Sequence, residues 1–90
     1  MSIEEILEQV IDRCKYHEIQ EVILFGSWAK GTAGEHSDID IAVTGGKDIE
    51  ELREDIESIP TLRSFDIVDI GHCKNELLLE EIRQYGRKIL

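Results

Sequence analysis

Val22 Ile23 Leu24 Phe25 Gly26 Ser27 is followed, ten residues beyond the serine, by Ser37 Asp38 Ile39 Asp40 Ile41 Ala42 Val43. The first run is β-prone and stops at a glycine. The second sets Ile39, Ile41 and Val43 in alternation with Asp38, Asp40 and Ala42, the period-two pattern of a strand with unlike faces. Between them, Gly31, Thr32, Ala33 and Gly34 break any long helix. Residues 27 to 36 therefore read as a loop with one helical turn near Trp28 to Lys30.

Working outward, the apolar faces of these strands need covering. Upstream, Ser2 with Glu5 is a capping-box start, and Ile3, Ile6, Leu7, Val10, Ile11 and Cys14 form one face of a helix of about three to four turns. The chain then turns near His17. Downstream, Gly45 Gly46 ends the second strand, and Asp48 caps a helix carrying Ile49, Leu52, Ile56 and Ile59 that stops before Pro60. Phe65 to Ile70 makes a third strand, apolar enough to be central. After Gly71 a helix with Leu77, Leu78, Ile82 and Tyr85 runs to Gly86, and Lys88 Ile89 Leu90 can add a short edge strand. The order predicts an α+β fold in which a small sheet is covered on one face by helices, as a single domain over residues 1–90.

Composition narrows the function classes. Hydrophobic residues make up 41% of the 90, enough for a folded globule, while 20 acidic against 10 basic residues leave a net charge of −10. Attraction to nucleic acid or to an anionic membrane needs Lys and Arg to replace phosphate counterions, so neither is expected as a partner. A nucleotide substrate stays compatible with an acidic chain, because bound metal ions invert the local field. Cys14 and Cys73 form no CxxC pair, and no hydrophobic signal region or long apolar stretch occurs. A cytoplasmic protein is the simple reading. Cys14 continues the first helix's stripe and is expected to be a buried small hydrophobe. His72 and Cys73 are adjacent, but a zinc site would need further ligands that only His36 or His17 could supply.

The chemical signal lies in the carboxylates. Residues two apart on a strand share a face and rise together by about 6.6 Å, so Asp38 and Asp40 project together. Facing carboxylates raise one another's proton affinity unless a cation lies between them, and side chains converging from such a pair can share divalent metals. Alone, the pair is more often a solvated face, or a pair of Asp side chains closing a turn after Ser37. Asp66 strengthens the pattern, because an aspartate inside a central strand is costly to desolvate unless it is paired or metal-bound. Asp69 has the opposite parity and sits near the strand end, where a cap or a salt bridge is expected. Gly26 permits close backbone approach, and Ser27 offers a hydroxyl and an amide to a phosphate, with capping of the next turn as the plain alternative. Gly26 to Gly31 has the spacing of a Walker loop, but Thr32 stands where lysine is required, and GxGxxG is absent. Lys30 is the one local cation, facing either phosphate or solvent.

Taken together, Gly26 Ser27 Trp28 Ala29 Lys30 Gly31, the Ser37 to Val43 run and Asp66 in a later strand resemble the minimal nucleotidyltransferase (MNT-like antitoxin) family of the polymerase-beta superfamily, over essentially the whole chain. The resemblance implies a mixed sheet flanked by helices, two Mg²⁺ ions held by Asp38, Asp40 and Asp66, and a triphosphate gripped at the Gly26 Ser27 turn. It further implies that Asp66 helps activate the acceptor hydroxyl. Lys30 and Ser37 complete the nucleotide-binding candidates. Similar proteins often carry arginine where this chain has Trp28 and Lys30, so some positive charge near the triphosphate is missing or moved. The resemblance also implies that small proteins of this kind are commonly encoded beside an all-helical HEPN-domain partner and form with it a complex that behaves as a toxin-antitoxin pair, in which the nucleotidyltransferase can neutralise the partner by adding AMP to a tyrosine hydroxyl.

The expectation is thus Mg²⁺-dependent transfer of NMP, AMP from ATP, to a hydroxyl of such a partner within a hetero-oligomer, a homodimer being the other assembly. The rival from a different class is a binding module, an antitoxin that masks its partner by contact alone. The acidic helical face around Glu50, Glu51, Glu54 and Glu57 motivates it, although such runs are usually just solvated.

Overall fold

Ser2 opens the first helix as its spacing predicts, its hydroxyl accepting the Glu5 amide at 3.2 Å. In the computed structural model, which describes residues 1–34 and 37–90, this helix is α1, Ile3–Tyr16. His36, weighed above as a zinc ligand, lies outside the described residues. Glu18, at a φ of 61°, turns the chain into β1, Ile19–Phe25. The strand begins before the apolar run because Ile19 already pairs with Gly45. One helical turn, α2 (Ser27–Lys30), and a loop lead to β2, Ile39–Gly45, antiparallel to β1.

The Asp48 carboxylate then accepts the amides of Glu50 and Glu51 at 3.0 and 3.2 Å, starting α3, Ile49–Glu57. α3 stops two residues short of Ile59, which is buried all the same. β3, Phe65–Asp69, runs parallel to β2, and the chain passes through a 3-10 turn at Ile70–His72 into α4, Glu76–Tyr85, capped by Asn75. The last residues pair β4, Arg87–Lys88, antiparallel to β1. The sheet is therefore mixed, with the order β3-β2-β1-β4.

Alternation sorts the side chains into two layers. Val22 and Leu24, with Ile39, Ile41 and Val43, pack against Ile6, Val10 and Cys14 of α1 and Leu52 and Ile56 of α3. Burial, with Asp55 nearby, pushes the Cys14 thiol up to about 11, as suits an inert core residue. A side-chain network on the rim joins the two helices: Arg13 Nε donates to Asp55 Oδ1 at 3.1 Å, and His17 Nε2 lies 3.0 Å from Oδ2.

The expectation of one helical face holds for α1 and α3, whereas α4 lies on the opposite face. There Ile82 closes a smaller cluster with Phe25 and Ala42, with Leu78, Ile23 and Val68 at its margin. This orientation turns Leu77 outward, 84% exposed, although its sequence neighbours had placed it in the helix's apolar stripe. Among the described residues no helix is long and apolar enough to cross a membrane.

Candidate active site

The polar positions of β2 open on the α4 side of the sheet. Asp40 stands opposite Phe25 on β1 and in parallel register with Asp66 on β3. Residues paired in this way share a face, on strands roughly 4.8 Å apart. Asp38, one residue before β2, is exposed, as is Asp66, while Asp40 is half-buried. The carboxyl of Asp40 is held above its ordinary range, first by burial and then by the charges of Asp66, Asp38 and Glu81. Three carboxylates singled out from sequence are thus electrically in one site, joined by a fourth that the sequence did not reveal.

Asp66 reaches this site by a different route from the one argued above. β3 is the edge of the sheet, and Asp66 is exposed. Desolvation does not mark it out. The run looked central because Ile67 faces the main core while Val68 and Ile70 lie at the margin of the α4 cluster, so apolar side chains fall on both faces of an edge strand. Parallel register with Asp40 is what brings Asp66 in. Asp69 behaves as its parity suggests: its carboxylate accepts the Gly71 amide at 3.1 Å and meets His72 Nδ1 at 2.8 Å.

The glycine-serine turn closes over Asp40. Gly26 has φ 72° and ψ −150°, and a Cβ placed there would lie 2.1 Å from Asp40 Oδ2. Only glycine tolerates both the conformation and the contact. Ser27 is the first residue of α2, whose single turn is fixed by Lys30 N donating to Gly26 O at 3.1 Å and by Thr32 N donating to Ser27 O at 2.9 Å. Ser37 is a neighbour of the site that also braces its loop, since its hydroxyl accepts the Gly34 amide at 2.8 Å.

Lys30 is exposed at the end of α2, and its charge is paired with α4. Its Nζ is 2.5 Å from Glu81 Oε1 and 5.0 Å from the ring centre of Tyr85, so it bridges α2 to α4. The hydrogen bond to Glu81 is the main reason its proton affinity is raised. Glu81 and Tyr85 are the site residues that sequence reasoning missed. Their spacing of four along α4 places them on one side of that helix, a signal that points to a shared face and not to which partner fills it.

Carboxylate oxygens are the donors that hard divalent cations such as Mg²⁺ take, so the donor chemistry of Asp38, Asp40 and Asp66 fits such an ion. Gly26 fits as well, because its missing side chain leaves the backbone against Asp40. Among the described residues no three His, Cys, Asp or Glu side chains are gathered closely enough to hold a metal ion as they stand. What the geometry provides is an open acidic patch beside a backbone turn free of side-chain bulk, an arrangement suited to cation-assisted handling of phosphate.

Residues 8–90 match the family model described as Polymerase beta, Nucleotidyltransferase. Over 90 residues the chain is 30% identical to a protein of Methanocaldococcus jannaschii that carries the provisional name protein adenylyltransferase, a match covering 97% of this chain and 51% of that one. The chain thus spans about half the length of that curated relative. Among solved structures, a toxin-antitoxin crystallised with AMP-PNP superposes with a TM-score of 0.77 at 27% identity, covering 92% of this chain and 71% of that chain. A mutant of the toxin-antitoxin MntA-HpeT gives 0.70 at 27% identity, covering 100% and 72%. Another mutant of that pair, 24% identical with a TM-score of 0.75 over 92% and 71%, shares the fold.

Proposed function

Because the chain belongs to the polymerase beta nucleotidyltransferase family, we propose that it transfers AMP from ATP to a protein hydroxyl, a tyrosine of an all-helical HEPN-type toxin, and so serves as that toxin's antitoxin in the cytoplasm. The adenylyltransferase name of the relative supports the group transferred, and the toxin-antitoxin structures, one with AMP-PNP, support the nucleotide and the kind of partner. The observation that carries the reading is the parallel register of Asp40 with Asp66, with Gly26 pressed against the Asp40 carboxylate.

In this reading Asp38, Asp40 and Asp66 would hold Mg²⁺, as two ions. When bound, such ions offset phosphate charge and lower the proton affinity of a hydroxyl. Gly26 lets the triphosphate approach the backbone of the turn, and the Ser27 hydroxyl donates to it. Asp66, exposed at the edge of the sheet, is open to an entering acceptor, and its carboxylate takes the proton as the acceptor oxygen bonds to the α-phosphorus. Pyrophosphate leaves on the opposite side. Asp38 and Asp40 are anions like the phosphate, so they would position it only by way of the ions they hold.

Incubating the chain with ATP labelled at the α-phosphate, Mg²⁺ and the co-encoded partner tests this. Label should appear on the partner's tyrosine and vanish with Asp40→Asn or Asp66→Asn. A partner that is neutralised without ever being labelled would instead identify the chain as a masking subunit, and label that survives both substitutions would remove the assigned residues from the chemistry.

A further inference from the structure

Apolar packing does little to hold α2 in place. It is a single turn of four residues, none of them buried, and it ends at Gly31 in the left-handed region. Trp28 packs only at the margin of the main core. A helix this short takes its position from whatever tethers it. α4 beside it is the firmer element. Ile82 is buried against Phe25 and Ala42, and a Cβ on Gly86, at the end of the helix, would lie 2.5 Å from Ile23 Cγ2 of β1. Arg87 then pairs with Leu24, two residues before Gly26. The wall beside the glycine-serine turn is thus fixed by the sheet itself.

Lys30 spans the gap between the two helices. Its Nζ meets Glu81 Oε1 at 2.5 Å and stands 5.0 Å from the ring centre of Tyr85, one turn further along α4. Both charged side chains keep 35% of their surface exposed, so the pair adds little to global stability. Its effect is local. The end of α2 is tied to α4, and Ser27 lies three residues back in the same turn. The charge of Glu81 is felt at Asp40, so the tie lies within electrostatic reach of the carboxylate patch. With Lys30 upon it, Glu81 adds less negative charge where phosphates would enter.

On the nucleotidyltransferase reading, we propose that Glu81 is a positioning residue: it holds Lys30 as a tether, and the tether keeps the Gly26 Ser27 turn where it takes the triphosphate. Lys30 then acts through the turn and not as a phosphate ligand. Glu81→Gln separates the two roles by sign. A phosphate-binding lysine would be released, and KM for ATP would fall. A tether would be cut, and KM for ATP should rise about two- to fivefold, the scale of an exposed ion pair, while KM for the protein acceptor stays as it was. Glu81→Asp keeps the charge on a shorter arm and should recover part of the loss. Lys30→Glu alone sets two carboxylates against each other and should raise KM for ATP further. Adding Glu81→Lys to it exchanges the pair and should bring KM back toward wild type. Trp28, the only tryptophan, lies next to Ser27 and gives a readout that needs no activity. In the nucleotide-free chain its quenching by acrylamide should increase in Glu81→Gln and return in the exchanged pair. Should Lys30→Glu melt early, Lys30→Gln takes its place as the cut tether.

An unchanged or lowered KM for ATP in Glu81→Gln overturns the inference and leaves the transferase reading standing. So does unchanged quenching of Trp28, or an exchanged pair that performs no better than the Lys30 variant alone. If the wild-type chain neither binds ATP by calorimetry nor labels a partner, the transferase reading falls and takes this inference with it.

Discussion

On the side of the sheet covered by α1 and α3, Ile39, Ile41 and Val43 are wholly buried. On the other side, the alternate positions of the same strand are Asp40, Ala42 and Thr44, and α4 covers only the middle with Leu78 and Ile82. Neither layer could replace the other. A chain of 90 residues has little apolar surface to spare, so one fully paved face carries most of the stability. The partly paved face can then tolerate three unneutralised carboxylates close together. The cost of their repulsion is met by packing on the far side of the same backbone.

The widest gap between the faces should appear when each loses one large side chain. Ile41→Ala empties a site at 0% exposure and should cost about 2–5 kcal/mol, a large share of what a small domain has. Ile82→Ala, in the smaller cluster, should fall near about 2 kcal/mol. Urea denaturation of both compares them directly, and equal losses would remove the distinction drawn here.

Next comes Gly26→Ala, which asks the two halves of the site to separate. Its Cβ would overlap Asp40 Oδ2 at a φ of 72°, so a loss of about 1–3 kcal/mol should accompany a sharp fall in nucleotide transfer. Unchanged melting would mean that the turn and the carboxylate are free to move apart.

Asp40→Asn should act in opposite directions on chemistry and stability. Transfer should drop by at least about a hundredfold. The metal-free chain, by contrast, should become slightly more stable at neutral pH. The proton affinity of Asp40 is raised in the fold by burial and then by Asp66, Asp38 and Glu81. The native state therefore holds that proton more tightly than the unfolded chain, so stability from this group is present below the ordinary value of 3.8 and is lost as pH rises through the raised one. Asparagine escapes that loss. Melting curves should show its advantage at pH 7 and its disappearance as the pH approaches 4, and an advantage that grows on acidification would reverse the assignment.

The smallest effect is expected from Glu81→Gln. Melting should barely move, since exposed ion pairs contribute little. In an NMR titration of the metal-free chain, however, the Asp40 carboxyl should titrate at lower pH than in wild type, because one of the charges raising it is gone.

Much of this was legible in the sequence for a definite reason. Alternation at Ile39, Ile41 and Val43 names both the strand and its buried face, and the glycine-serine turn and the DxD pair lie within one short stretch where local spacing fixes geometry. Ser2 and Asp48 act as caps because capping is also local. Glu81 escaped notice because its place is set by tertiary contact: in the sequence it looks like any solvated helix acid. Leu77 shows the same limit from the other side, since the spacing along α4 gives a stripe but not how the helix is rolled on the sheet.

The border position of β3 has a further consequence. A strand paired on one side leaves backbone groups open to any passing chain; on β3 Arg53 Nη2 covers the Ile67 carbonyl at 2.9 Å, and short, charged borders are a further way proteins deter such adhesion. β3 is five residues long and carries Asp66 outward in its second position. Asp66 therefore also places a charge on this border, and a valine there should leave the protein more prone to stick to its own copies.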